Sequence, residues 1–169
     1  MASTYTPIAS TILSSPAASV TFSSISGAYT DLIVRISAAS SNAATTDGLV
    51  MQLNGVTTNR SGTDMNAVST TAGSQSTGNG AGTVTAASGT ANTFGTVEIR
   101  IPNYANSSYN KPYYYVAGAE NNSASTAKVQ SGAGLWSVTT AITSVGFILA
   151  NGPNFVTGSR FDLYAVTHF

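Results

Sequence analysis

Apolar and polar residues alternate through most of this chain. In residues 31–38, Leu32, Val34 and Ile36 share one parity, while Ile33, Arg35 and Ser37 take the other. A period of two is typical of a β-strand with one buried face. The same alternation predicts strong strands at 48–53, 94–101, 111–119, 142–149 and 160–168, and weaker strands at 5–12, 19–22 and 128–136.

Helical periodicity is missing from the same sequence. No ten-residue window carries apolar residues at i, i+3, i+4 and i+7 between capping residues. Short strands separated by Gly, Asn and Ser clusters are typical of a sandwich or barrel. We therefore predict an all-β fold, a jelly-roll-like antiparallel β-sandwich of about eight strands. We expect residues 20–169 to form this single domain, and residues 1–19 to form an extended N-terminal arm or a first edge strand.

One segment departs from the alternation. All residues from 69 to 93 are Ala, Gly, Ser, Thr, Asn or Gln, except Val84. Such a segment offers little apolar area for burial. We predict a long low-complexity loop or weak strands at 69–93.

The composition excludes several classes of protein. Charged residues make up 7% of the chain, with six basic and six acidic residues and no cysteine, against roughly 25% charged residues in an ordinary domain. Dispersed basic residues cannot provide the electrostatic footprint of a nucleic-acid-binding protein. Zinc fingers and disulfide scaffolds are excluded because the chain has no cysteine. So few charges indicate a surface that packs closely beside other copies of itself.

Residues for catalysis are sparse. His168 is the single histidine, and the six carboxylates are scattered without D-x-D or E-x-x-E spacing. General acid–base catalysis and metal binding need such groups to converge. We predict no enzyme activity, no catalytic residues, no cofactor and no metal site.

The sequence also bears on location. The N-terminal residues lack the basic and apolar segments of a secretory signal, and no apolar run approaches the ~20 residues needed to cross a bilayer. We expect synthesis in the cytoplasm of the host and no membrane partner.

Aromatic residues cluster in the second half of the chain. Tyr113 and Tyr115 share one face of a predicted strand, and Trp136 is the single tryptophan. The two tyrosines suit either core or subunit packing, or a platform on which sugar rings stack. For Trp136 we expect burial.

The second half also carries a resemblance. The stretches VEIRIPNYANSSYNKPYYYVAGAENNSA (97–124) and GLWSVTTAITSVGFILANGPNFVTGSRFDLYAV (134–166) resemble a family of bacteriophage virion structural proteins, cyanophage-like ones especially, with jelly-roll domains. SSISGAYTDLIVRISAASS (23–41) is similar to the same family. The low-complexity segment 69–93 departs from the family, in which a strand with apolar residues often lies there.

The resemblance implies a virion protein, and the anatomy of the chain favours one position on the particle. A free-standing small β domain is the form expected of a capsid decoration (cement) protein on the outer surface of a phage head. We expect a homotrimer that contacts the major capsid protein through a partly apolar base and its N-terminal arm. The partner-binding residues predicted for the arm are Tyr5, Ile8, Ile12 and Leu13, with Tyr113 and Tyr115 on the domain.

Two other functions stay open at this point. One is a receptor- or carbohydrate-binding module of a phage tail fibre or tail tip, which would need exposed aromatic rings and would bind glycan. The other, least favoured, is a glycan-cleaving enzyme, which would need a pair of carboxylates in a cleft. Copy number separates head from tail, because a decoration protein is present in hundreds of copies per particle.

Overall fold

The chain is a β-sandwich, seen here in a computed structural model that describes residues 4–68, 71–122 and 126–168. Within those residues the structure has twelve strands and no helix. The strands are β1 (Thr4–Ile12), β2 (Ser19–Phe22), β3 (Asp31–Ser40), β4 (Thr46–Leu53), β5 (Arg60–Val68), β6 (Thr71–Thr77), β7 (Gly80–Ala86), β8 (Gly95–Pro102), β9 (Lys111–Ala119), β10 (Lys128–Trp136), β11 (Val145–Leu149) and β12 (Arg160–Thr167).

The strands divide into two hydrogen-bonded layers. The larger layer has the order β1-β12-β3-β8-β9-β10-β5-β6, and the smaller has the order β2-β11-β4-β7. All pairings within each layer are antiparallel. At the end of β3, Ala39 and Ser40 pair in parallel with Thr85 and Ala86, so the layers join at that corner.

The connections are those of a jelly roll. Strands β2, β4, β7 and β11 lie in the smaller layer, and the chain returns to the larger layer between them. In a jelly roll of eight strands, one layer has the order first, eighth, third and sixth strand. Here β2, β11, β4 and β7 occupy those four places in turn. In the larger layer, β8, β9 and β10 together occupy the place of one jelly-roll strand, and β1 with β12 extends the opposite edge. The predicted fold class is confirmed, with twelve strands in place of about eight.

The core lies between the layers and follows the predicted parity. Leu32, Val34 and Ile36 of β3 belong to it, and Phe147 and Phe161 stack across the two layers with ring centroids 5.9 Å apart. Trp136 is buried as expected. Apolar burial between two sheets is the main stabilising contribution in such a fold.

Within its described residues, the N-terminal segment contains a strand rather than an extended arm. Thr4–Ile12 pairs along its length with β12, from Thr4 opposite Thr167 to Ile12 opposite Arg160. Leu13 continues the attachment, since its amide donates to the Ser159 carbonyl at 2.9 Å. Of the two forms that the sequence allowed, the structure has the edge strand.

The low-complexity segment also forms strands, β6 and β7, within its described residues. Strand β7 is the last strand of the smaller layer, yet it is buried, with Val84 and Ala81 fully buried. Gly95 explains why small residues suffice there, because a Cβ at this position would lie 2.8 Å from the Val84 Cα. The two backbones thus approach closely, and burial comes from close packing rather than from large side chains.

Candidate functional site

The outward side of one half of the larger layer is free of charge. It is formed by alternate residues of β9, β10, β5 and β6, which lie side by side in the sheet. We call this surface the neutral face. Its fifteen positions form four rows across the strands: Pro112, Leu135 and Ser61; Tyr114, Ala133, Thr63 and Ser76; Val116, Ser131, Met65 and Ser74; Gly118, Val129, Ala67 and Ala72.

Large apolar side chains stand exposed on this face. Met65 is 68% exposed and Val129 61%, and Val116, Tyr114 and Leu135 are exposed beside them. Apolar residues exposed singly are ordinary, whereas a contiguous group marks an interaction surface.

The other half of the same layer has a different outward surface. Arg35 pairs with Glu98 at 2.9 Å and lies over the Tyr164 ring, and Arg160 pairs with Asp162 at 2.7 Å. A shallow groove of about 470 Å³, lined by Arg35, Glu98, Val116 and Val129 among others, marks the boundary between the halves. Charge is therefore segregated along one continuous sheet.

The neutral face is supported from below by two tyrosine rings lying across glycines. Tyr115 pairs with Gly132 and Tyr113 with Gly134 in the β9–β10 register. A Cβ on Gly132 would lie 2.4 Å from the Tyr115 ring, and one on Gly134 would lie 2.2 Å from the Tyr113 ring. The glycines therefore leave the space in which the rings cross β10, an arrangement that pins strand register.

The Tyr115 hydroxyl reaches a buried carboxylate on β5. Asp64, 1% exposed, accepts hydrogen bonds through Oδ2 from Tyr115 at 3.0 Å, Gln130 at 3.0 Å and Gln75 at 3.1 Å. Its Oδ1 accepts one from Asn66 at 3.1 Å. These bonds tie four adjacent strands together beneath the neutral face.

The same cluster shifts two ionisation equilibria. Burial alone would raise the pKa of Asp64, but the hydrogen bonds from Asn66, Gln75 and Tyr115 outweigh it and lower that pKa. Burial, together with the bond to the Asp64 carboxylate, raises the pKa of the Tyr115 hydroxyl. At neutral pH the pair is thus a carboxylate and a neutral phenol, the state that the hydrogen bond requires.

A cavity of about 260 Å³ opens beside this cluster, lined by Asp64, Gln130, Thr83 and Lys128 among others. Its polar side chains are largely bonded to one another, since Thr83 also bonds to Gln130. The cluster therefore has a structural explanation, which is to hold β5, β6, β9 and β10 in register.

Most of the charged groups are paired or buried. Three Arg–carboxylate pairs among the described residues, Arg35–Glu98, Arg100–Asp31 and Arg160–Asp162, use six of the twelve charged residues. Four more, Asp47, Asp64, Lys111 and Arg60, are buried or partly buried within the domain. Of the remaining two, Lys128 is partly buried and Glu120 is exposed.

His168 lies beyond the end of β12 in a small polar cluster. Its Nε2 is 2.9 Å from Asp31 Oδ2, which also accepts from Arg100 Nη2 at 2.8 Å. Burial would raise the pKa of Asp31, but the hydrogen bonds from His168, Arg100 and the Asn103 amide outweigh it and lower that pKa. The cluster closes the end of the sheet around β3 and β8.

The predicted partner-binding residues separate into two groups. Tyr5 and Ile12 are exposed on β1, at 51% and 61%, whereas Ile8 and Leu13 pack against the core. All four lie on or beside the edge strand, at the edge of the layer opposite to β6.

Tyr113 and Tyr115 require a correction. They are 2% and 1% exposed, so neither ring can contact a partner or form a glycan platform in the folded domain. Sequence reasoning placed them correctly on one face, and that face is the core. The exposed residues of the same strand are Pro112, Tyr114 and Val116, and none of them was predicted to bind a partner.

The motifs behind the family resemblance join loops to strands. The Tyr104 hydroxyl donates to the Ser26 carbonyl, and buried Lys111 donates to the carbonyls of Tyr109 at 2.6 Å and Thr139 at 2.7 Å. Burial lowers the pKa of Lys111. Both residues therefore have roles in packing.

Within the described ranges, no group of three or more His, Cys, Asp and Glu residues is arranged to hold a metal ion. The described part of the chain also contains no helix of the length and apolarity that a membrane crossing requires.

Comparison with known proteins adds one likeness. No family model and no curated protein matches the chain. Among solved structures, the chain is similar to the galectin LEC-6 of Caenorhabditis elegans, with a TM-score of 0.36 and 10% identity over 94% of this chain and 96% of that one. The sandwich class rests on the strands and sheets described above.

Proposed function

We propose that this chain is a structural protein of a bacteriophage virion, a decoration protein that binds the outer surface of the head and stabilises the shell around packaged DNA. The proposal combines the family resemblance with one observation of the structure. That observation is the small number of charges that are both exposed and unpaired: eleven of the twelve charged residues are in ion pairs or are buried or partly buried in the domain.

A surface with few unpaired charges suits a protein that is crowded among its own copies. Repulsion between neighbours on a shell grows with net charge, and this chain has a formal net charge of zero. Contacts made by apolar and hydroxyl groups also depend weakly on salt, because no counterions are displaced. A shell protein would thus keep its position as ionic conditions change outside the host.

Attachment to the major capsid protein would use the β1 edge. Tyr5 and Ile12 are the exposed apolar residues there. Their strand is already ordered on β12, so binding would not require the ordering of a free arm. A preformed surface avoids that loss of chain entropy.

The tail-module alternative needs exposed aromatic rings. Two of its candidates, Tyr113 and Tyr115, are buried, whereas Tyr109 and Tyr114 are exposed. No further observation favours that alternative over head decoration, and we retain a single proposed function.

Cryo-electron microscopy of the virion tests the proposal. We expect density for this sandwich on the outside of the head, with β1 toward the capsid. Density at the tail tip or along tail fibres would contradict the proposal. Virions carrying Tyr5→Lys and Ile12→Lys together should lose the density, whereas Tyr109→Lys, an equally exposed position away from β1, should keep it.

A further inference from the structure

From the neutral face we infer that copies of this chain pack against one another through the outward surface of β9, β10, β5 and β6. The contact is inferred from this surface alone.

The first argument is area. Four strands about 4.8 Å apart and four rows about 6.8 Å apart cover a footprint of about 500 Å². Two such faces in contact would bury about 1,000 Å² if they are treated as flat, and protruding side chains add to this area. That area reaches the lower end of the range for specific protein interfaces. The footprint is therefore sufficient for a second copy.

The second argument is charge. None of the fifteen positions of the neutral face is charged, although the adjoining half of the same layer carries Arg35, Glu98, Arg100, Arg160 and Asp162. A partner that binds this face must leave no charge unpaired there, because burying an isolated charge is costly. A second neutral face meets that condition on every row.

The third argument is the missing protection of the edge. Within the described residues, β6 pairs with β5 and its other edge is free. Its sequence, TAGSQST, contains no charge and no proline. Monomeric sheet proteins block such edges with lysine, proline or a bulge. Strand β6 has no charge and no proline, and its pairing with β5 runs without a bulge.

Met65 and Val129 would be the main apolar side chains in the contact. They are the two most exposed apolar side chains of the face, on neighbouring strands and adjacent rows. Val116 lies one strand further along, in the row of Met65. Truncations at the centre of an interface have the largest effects.

The test is the oligomeric state of the full chain, measured by sedimentation velocity and light scattering from about 1 to about 100 µM. We expect a dimer for the unaltered protein, because the contact of one neutral face with another has two-fold symmetry. Val129→Lys and, separately, Met65→Lys should raise the dissociation constant about 100-fold or more, because each places a charge in the contact. Circular dichroism should show all variants folded.

Two matched controls separate this contact from general surface effects. Ile12 is as exposed as Val129, at 61%, and Tyr109 is as exposed as Met65, at 68%. Ile12→Lys and Tyr109→Lys should leave the oligomer intact. A monomer at all concentrations, or an oligomer that both neutral-face variants leave unchanged, would overturn the inference. Neither result bears on head decoration, which monomers could also provide and which the virion measurements test.

Discussion

Substitution of Gly132 by alanine tests the packing that supports the neutral face. The added Cβ would lie 2.4 Å from Tyr115 Cζ and 2.6 Å from its Cε1 and hydroxyl oxygen. These atoms belong to a ring that is 1% exposed, so the ring cannot turn into solvent without leaving the core. The 3.0 Å bond from Tyr115 to Asp64 would be lost with that displacement.

The expected cost follows from two effects and one gain. Overpacking a core costs about 1–3 kcal/mol, and loss of a hydrogen bond to a charged group costs about 1.5–3 kcal/mol. Replacing glycine within a strand returns about 0.5–1 kcal/mol. We expect a net loss of about 2–5 kcal/mol, which corresponds to a fall of about 5–20 °C in Tm for a chain of this length.

Thermal and urea unfolding measure this loss, and Gly73→Ala is the control. A Cβ on Gly73, two strands away in the same layer, meets nothing within 4 Å, so that variant should stay within about 0.5 kcal/mol of the original. A Tyr115→Ala background should remove at least about 1 kcal/mol of the cost of Gly132→Ala, since the clashing ring is gone. Equal tolerance of Gly132→Ala and Gly73→Ala, or an unchanged cost in that background, would refute the reasoning.

Four further results are expected. Asp64→Asn should lower the free energy of unfolding most at neutral pH. Because the pKa of Asp64 is lowered in the folded state, the difference in unfolding free energy between the variant and the original protein should narrow as the pH falls below about 4. A difference in urea titrations that does not change with pH would contradict this. Asp47→Ala removes the acceptor for the backbone amides of Asn151 at 3.2 Å and Gly152 at 2.8 Å. It should lower the free energy of unfolding by about 2–4 kcal/mol. A loss below about 1 kcal/mol would contradict a stabilising role for these hydrogen bonds. Phe161→Ala removes a fully buried ring and should cost about 3–5 kcal/mol in chemical denaturation, whereas a cost near that of a surface change would mean that the core is placed wrongly. The dissociation constant of the oligomer should change less than about threefold between about 0.05 and 0.5 M NaCl, because no charge lies at the contact; a steep dependence would point to the charged half of the layer.

The strands that bury large apolar residues were predictable from sequence. Lys111–Ala119, Lys128–Trp136 and Ser19–Phe22 have the predicted bounds, although the last two were predicted as weaker strands. Strand β7 lies in the segment 69–93, for which the sequence predicted either a long loop or weak strands. It is buried through close backbone approach at Gly95, and a run of small residues reads as a loop when hydrophobicity is the signal.

The neutral face illustrates a second limit. Parity placed Tyr113 and Tyr115 together, but parity alone does not say which side of a strand faces the core. A signal was present in Gly132 and Gly134, which repeat with a period of two and lie opposite the two rings. Recognising it required the β9–β10 register, which the sequence alone does not give.

The number of copies of this chain in purified virions tests the central claim most directly. Quantitative mass spectrometry against the major capsid protein would provide it. A decoration protein predicts hundreds of copies per particle, in a fixed ratio to capsid subunits. A few copies, tens of copies, or absence from the particle would contradict the account.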